Sequence, residues 1–246
     1  MFYIEIMKSK DKSGPIKLGE QRGLQKKVRV KTRQSRSKSS AKWLERQLND
    51  PYVIAAKAEG YRSRAAFKII QMNDELDIFR KGQKVVDLGA APGGWTQIVV
   101  DLVKPKETGG RVVGIDYLEM DEIPGAEIIC LDFMDEKAPD ILKEMLGGPA
   151  DIVMSDMAPP TVGHQRTDHL RIMGLAEAAY AFAKEVLVPG GVFLSKVFMG
   201  GADKEFLNLL KKDFEKVKHI KPHASRKDST EMYVVAKGFK GGNNED

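Results

Sequence analysis

Between residues 84 and 198 the sequence alternates two hydrophobic periods, and that alternation is what most restricts the fold. KVVDLG (84–89), RVVGID (111–116), AEIICLD (126–132), DIVMSDM (151–157) and GVFLSKVF (191–198) are short runs rich in Val and Ile. Segments with helical spacing, 95–103, 138–146, 168–187 and 203–214, separate most of them. Near-continuous apolar strands alternating with helices predict a parallel sheet covered on both faces, an α/β fold. Two closing runs, 216–222 and 231–239, have no helix between them. They predict an antiparallel hairpin at the edge of that sheet.

Ahead of this pattern the chain changes character twice. Ser40 precedes Ala41, Leu44 and Leu48, with Trp43 beside them, so a helix is expected up to Asn49-Asp50-Pro51. Pro51 suits the first turn of a second helix reaching Gly60, and a third is expected from Ser63, on Ala66, Phe67, Ile70 and Leu76. Residues 1–40 differ from all of this. They hold 12 Lys and Arg against 3 acids, net +9, which leaves the remainder of this +5 chain at net −4. KVRVKTRQSRSKSS has only two apolar residues and cannot bury enough surface to offset its ordering entropy. Residues 1–40 therefore read as a disordered basic arm suited to phosphate contacts.

The remaining composition excludes several classes. One cysteine, Cys130, rules out an intrachain disulfide and fits a reducing compartment. No apolar run approaches the roughly 20 residues of a membrane helix. Glu5 interrupts the N-terminal apolar patch and the lysines follow it, the wrong order for a signal peptide. A monomeric cytoplasmic protein is the expectation.

The sharpest local feature is Asp87-Leu88-Gly89-Ala90-Ala91-Pro92-Gly93-Gly94-Trp95, directly after the first strand and opening a helix. Glycines let the backbone approach a ligand there, and a helix N-terminus offers N–H groups. The dinucleotide fingerprint requires glycine where Ala91 stands, and Pro92 removes a donor, so a ligand without a pyrophosphate fits better than a nicotinamide dinucleotide. Asp116 and Asp132 close the second and third strands at the carboxyl edge, where open α/β sheets bind ligands. Asp116 suits a ribose diol. Asp132, followed by Phe133, suits an adenine.

This loop with its two acids resembles the S-adenosylmethionine site of Rossmann-like methyltransferases. Arg62-Ser63-Arg64-Ala65-Ala66-Phe67-Lys68, DLGAAPGGW, Ser155-Asp156-Met157-Ala158-Pro159, Lys196-Val197-Phe198 and Glu231-Met232-Tyr233 occur in the order seen in the FtsJ-like RNA 2′-O-methyltransferases. The resemblance, closest to bacterial members acting on large-subunit ribosomal RNA, implies a methyltransferase domain over 41–246. It implies a seven-stranded, mostly parallel sheet with helices on both faces. It also implies S-adenosylmethionine held by Gly93, Trp95, Asp116, Asp132 and Asp156, and a catalytic set of Lys68, Asp156, Lys196 and Glu231. The substrate implied is a uridine of 23S rRNA in the large subunit, and S-adenosylhomocysteine is the product.

The residues suggest a mechanism on their own terms. Methyl transfer from a sulfonium to a ribose hydroxyl is one in-line displacement, and the enzyme's task is to align and activate the oxygen. Lys196 is assigned as general base, with Lys68 tuning it, Asp156 between cofactor and base, and Glu231 holding the lysine geometry. Arg62, Arg64, Lys68 and Arg226-Lys227 are expected to form a basic rim. His164, His169, His219 and His223 lack metal-ligand spacing and read as surface histidines, so no metal is expected. Cys130 reads as a small core residue, and Met154, Met157 and Met173 as packing. The rivals are 2′-O-methylation of tRNA or of an mRNA cap, and a non-catalytic RNA-binding ribosome-assembly factor.

Overall fold

The computed structural model describes residues 38–160, 162–198, 202–226 and 228–241. Nearly all of the basic arm, and Lys227, lie outside the described residues. The chain divides into two units, of which Ala55–Asp246 is the second and Met1–Ile54 the first. In the described part of that unit, helix α1 (Lys38–Leu48) is followed by α2, which starts at Pro51 and runs to Ala58. Asp50 sets the start of α2: its Oδ1 accepts from Tyr52 N at 3.0 Å and its carbonyl accepts from Val53 and Ile54.

The second unit carries α3 (Ala66–Leu76), β1 (Lys84–Leu88), α4 (Gly94–Val103), a short α5 (Pro105–Thr108), β2 (Arg111–Asp116) and β3 (Glu127–Cys130). It continues with α6 (Ala138–Leu146), β4 (Ala150–Ser155), α7 (Gln165–Val186), β5 (Leu187–Phe198), α8 (Ala202–Asp213), β6 (Phe214–Ile220) and β7 (Glu231–Phe239). The seven strands form one sheet in the order β3-β2-β1-β4-β5-β7-β6. The first five are parallel, and β7 lies antiparallel between β5 and β6. The closing hairpin thus forms one edge of the sheet, as its missing connector helix predicts.

Both faces are buried, as the unbroken apolar strands require. On one face Val85, Val112, Ile152 and Leu194 pack beneath Ile69 and Met72 of α3 and Trp95, Ile98 and Val99 of α4. On the other, Val86, Val113, Val153 and Phe193 meet Leu142 of α6, Ala179 and Phe182 of α7, and Phe206 of α8. Adjacent residues of β1 belong to opposite clusters because side chains alternate across a strand.

Two expectations about β3 change. Cys130 is exposed, because β3 is a four-residue edge strand whose end residues face solvent. Asp132 lies two residues past that strand, in a turn where its Oδ1 accepts from Met134 N at 2.9 Å. The third helix begins at Ala66 and not at Ser63, which instead holds the preceding turn, its Oγ accepting from Ala65 N at 3.2 Å.

Candidate active site

The glycine loop links β1 to α4 at the carboxyl edge of the sheet. Gly89 and Ala90 donate to the carbonyl of Ile115, which ties the loop to the end of β2. Gly89 adopts φ +84, and a Cβ there would lie 2.9 Å from the backbone N and Cα of Met157, so only glycine lets the two loops touch. Asp116 completes the tie: its Oδ2 accepts from Ala91 N and its Oδ1 from Leu118 N, both at 2.9 Å.

A cavity of about 680 Å³ opens beside this loop, lined in part by Gly89, Asp116, Asp132 and Asp156. Tyr117, Leu118 and Met134 also line it and leave more than half of their surface exposed. They follow the two acids by one or two residues, and no feature of the sequence marks them as binding side chains. Gly93 and Trp95 lie elsewhere. Gly93 is the N-cap of α4 and packs against Arg62, Met120 and Ile123. The Trp95 indole is buried, donates to Ala65 O at 3.0 Å and rests 5.5 Å from the Tyr233 ring.

Strand register assembles the charged set. Ser155 and Ser195 are partners in the parallel β4–β5 ladder, so Asp156 and Lys196 emerge side by side. In the antiparallel β5–β7 ladder Lys196 faces Tyr233 and Phe198 faces Glu231. Lys68 reaches the same place from α3, on the sheet face that α3 covers. Lys196 Nζ donates to Asp156 Oδ1 at 2.8 Å and to Asp156 O at 2.7 Å. Lys68 Nζ pairs with Glu231 Oε1 at 2.7 Å and donates to Tyr233 Oη at 2.8 Å. Tyr233 in turn donates to Asp156 Oδ1 at 2.8 Å. All four expected residues therefore come together, and Tyr233 joins their two ion pairs. It stood in the sequence as the end of Glu231-Met232-Tyr233 with no role assigned; only the register exposes one.

The electrostatics follow from this packing. Burial pushes the Asp156 carboxyl up, but the Lys196 and Lys68 cations and the hydrogen bonds from Lys196 and Tyr233 outweigh it, leaving the group below its ordinary range. Burial raises the Tyr233 phenol well above its usual value, and the charges of Asp156 and Glu231 raise it further, so it stays protonated. Asp87, fully buried on β1, is pushed up to about 7 by burial and by Asp156 and Asp116, against a lowering hydrogen bond from Thr96. Thr96 Oγ1 donates to its Oδ2 at 2.6 Å.

The expected basic rim is changed. Arg62 donates to the carbonyls of Asp121 and Glu122, at 2.6 and 2.5 Å, and strides over the loop between β2 and β3. Arg64 donates to the carbonyl of Ala224. These guanidiniums satisfy main-chain acceptors, which is a bracing use that a basic motif does not distinguish from phosphate binding. His164 caps α7, its Nδ1 accepting from Thr167 N at 3.3 Å. Among the described residues no three His, Cys, Asp or Glu side chains are grouped to hold a metal ion, and no helix is long and apolar enough to cross a membrane.

A parallel five-stranded core with an inserted antiparallel seventh strand, and acids at the ends of β2 and β4 around a glycine loop, define a Rossmann-like methyltransferase fold. The sequence matches the FtsJ-like methyltransferase family over residues 61–239, and the chain belongs to that family. It is 58% identical over 241 residues to the ribosomal RNA large subunit methyltransferase E of Parvibaculum lavamentivorans, covering 95% of this chain and 94% of that protein. The protein of the same name from Paramagnetospirillum magneticum is 60% identical over 217 residues, covering 87% of this chain and 88% of that one. Among solved structures, a ribosomal RNA methyltransferase from Plasmodium falciparum superposes with a TM-score of 0.66 at 29% identity, over 74% of this chain and 100% of the other.

Proposed function

We propose that this chain transfers a methyl group from S-adenosylmethionine to the ribose 2′-hydroxyl of a uridine in 23S ribosomal RNA of the large ribosomal subunit. The observation that carries this reading is the unbroken run of hydrogen bonds from Glu231 through Lys68, Tyr233 and Asp156 to Lys196, which meets the cavity at Asp156. Relatives that are 58% and 60% identical over the aligned residues and are named for the large-subunit RNA support the substrate class. A factor that only bound RNA would have no need of five ionisable side chains joined beneath a cavity.

The residues present fit the cofactor. Each Asp116 oxygen accepts one main-chain hydrogen and keeps a lone pair for a ribose hydroxyl. Asp132 offers a carboxylate to an amino group, and Leu118, Phe133 and Met134 offer apolar surface to a purine ring. Gly93 and Trp95 act by shaping the loop and the start of α4. When bound, S-adenosylmethionine supplies a methyl group on a sulfonium, already a good leaving group.

Lys196 is the general base. Once it has given up the proton that makes it the cation paired with Asp156, its amine has two N–H donors and one lone pair. Both donors have acceptors here, Asp156 Oδ1 and Asp156 O, so the lone pair is the group left to take the hydroxyl proton. Asp156 remains ionised and fixes the amine. Lys68, balanced by Glu231, places its positive charge near the site and holds Asp156 through Tyr233. These groups titrate as a set.

The basic residues of the arm, 1–40, contact phosphates of the same RNA, and the enzyme works as a monomer in the cytoplasm. Incubation with labelled S-adenosylmethionine and, separately, large subunits from a strain lacking the enzyme, free rRNA and tRNA tests the substrate. Label at a ribose 2′-oxygen of large-subunit RNA is expected. Label in tRNA alone overturns the assignment. Removing residues 1–40 should weaken RNA binding and flatten its salt dependence; an unchanged salt slope removes the arm from phosphate contact.

A further inference from the structure

The connection between β6 and β7 contains a stretch that is buried although it is loop. Ala224 is wholly buried and Ser225 is 6% exposed. Loops normally run over the surface because buried main-chain groups need partners. Here each has one. Ala224 N donates to Gln71 Oε1 at 2.9 Å, Ala224 O accepts from Arg64, and Ser225 N donates to Pro222 O at 2.8 Å. Both outside partners come from the segment that carries Lys68. The side-chain hydroxyl of Ser225 is directed at the reactive set. It donates to Glu231 Oε1 at 2.9 Å, the same oxygen that holds Lys68 at 2.7 Å.

From this geometry we infer that Ser225 is a positioning residue for methyl transfer, acting through Glu231. The inference rests on the methyl-transfer reading above. A carboxylate on three single bonds at the start of a strand can rotate away from its lysine. A second, fixed donor on the same oxygen confines it. Gln71 and Arg64 hold the turn, the turn holds the hydroxyl, the hydroxyl holds Glu231, and Glu231 fixes Lys68. Pinning the turn to α3 also keeps Glu231 and Lys68 in step, since both then move with one helix.

Single-turnover methylation of large subunits from a strain lacking the enzyme is compared in wild type, Ser225→Ala, Glu231→Ala and the double variant. Ser225→Ala is expected to slow the step about tenfold, in line with a lost hydrogen bond to a charged group. The KM values for S-adenosylmethionine and for subunits should stay near wild type. Added to Glu231→Ala it should change the rate by less than about twofold, because its effect passes through that carboxylate. A wild-type rate in Ser225→Ala, or an equal loss in both backgrounds, overturns the role. Absence of label in wild type instead overturns the methyl-transfer reading and is seen separately.

Discussion

Tyr233 donates its phenolic hydrogen to Asp156 Oδ1 at 2.8 Å, and that bond joins the two lysine–carboxylate pairs into one unit. Without it, Lys68–Glu231 and Lys196–Asp156 are neighbours with no common atom. Tyr233→Phe keeps the ring against Trp95 and removes only the hydroxyl. Methylation should fall about tenfold with cofactor affinity retained, read from kcat and from equilibrium binding of S-adenosylmethionine. A wild-type kcat would leave Tyr233 a packing residue.

Asp116 is tied to two main-chain N–H groups, so its replacement disturbs the loop as well as the diol site. Asp116→Ala should weaken S-adenosylmethionine binding by about tenfold or more in calorimetry, with the fold retained by circular dichroism. Binding at wild-type strength contradicts the assignment.

Gly89→Ala combines a strained backbone with a clash against the main chain of Met157, which cannot swing aside as a side chain tip can. The variant should lose about 2 kcal/mol or more in chemical denaturation. A stability equal to wild type would mean that the β1 and β4 loops are free to separate.

Asp87 gives the stability a pH dependence whose direction is fixed. Its folded-state value of about 7 lies above the ordinary 3.8, so the fold favours the neutral acid. Its contribution is complete below about 4 and is lost as the pH rises through about 7. Measured relative to Asp87→Asn, wild-type unfolding free energy should decline from pH 4 to 7 and level off above. A flat difference contradicts a buried neutral Asp87.

Much of this is legible in the sequence. The short apolar runs became the seven strands, and the motif order named Lys68, Asp156, Lys196 and Glu231 as one set. What sequence could not supply is lateral register. Glu231-Met232-Tyr233 reads the same whichever residue faces Lys196, and only the β5–β7 ladder puts the phenol opposite the amine. Cys130 looked buried because β3 shares its residue types with central strands, and edge position leaves no mark in so short a run. Arg62 and Arg64 looked like phosphate ligands because a guanidinium that braces carbonyls has the same charge.

Lys196→Ala tests the role of Lys196 as general base most directly. Cofactor binding and methyl transfer to large-subunit RNA are measured on the same preparation. S-adenosylmethionine affinity is expected within about twofold of wild type, with a methylation rate lower by about a thousandfold. Normal methyl transfer by a Lys196→Ala protein that binds the cofactor normally would contradict that role.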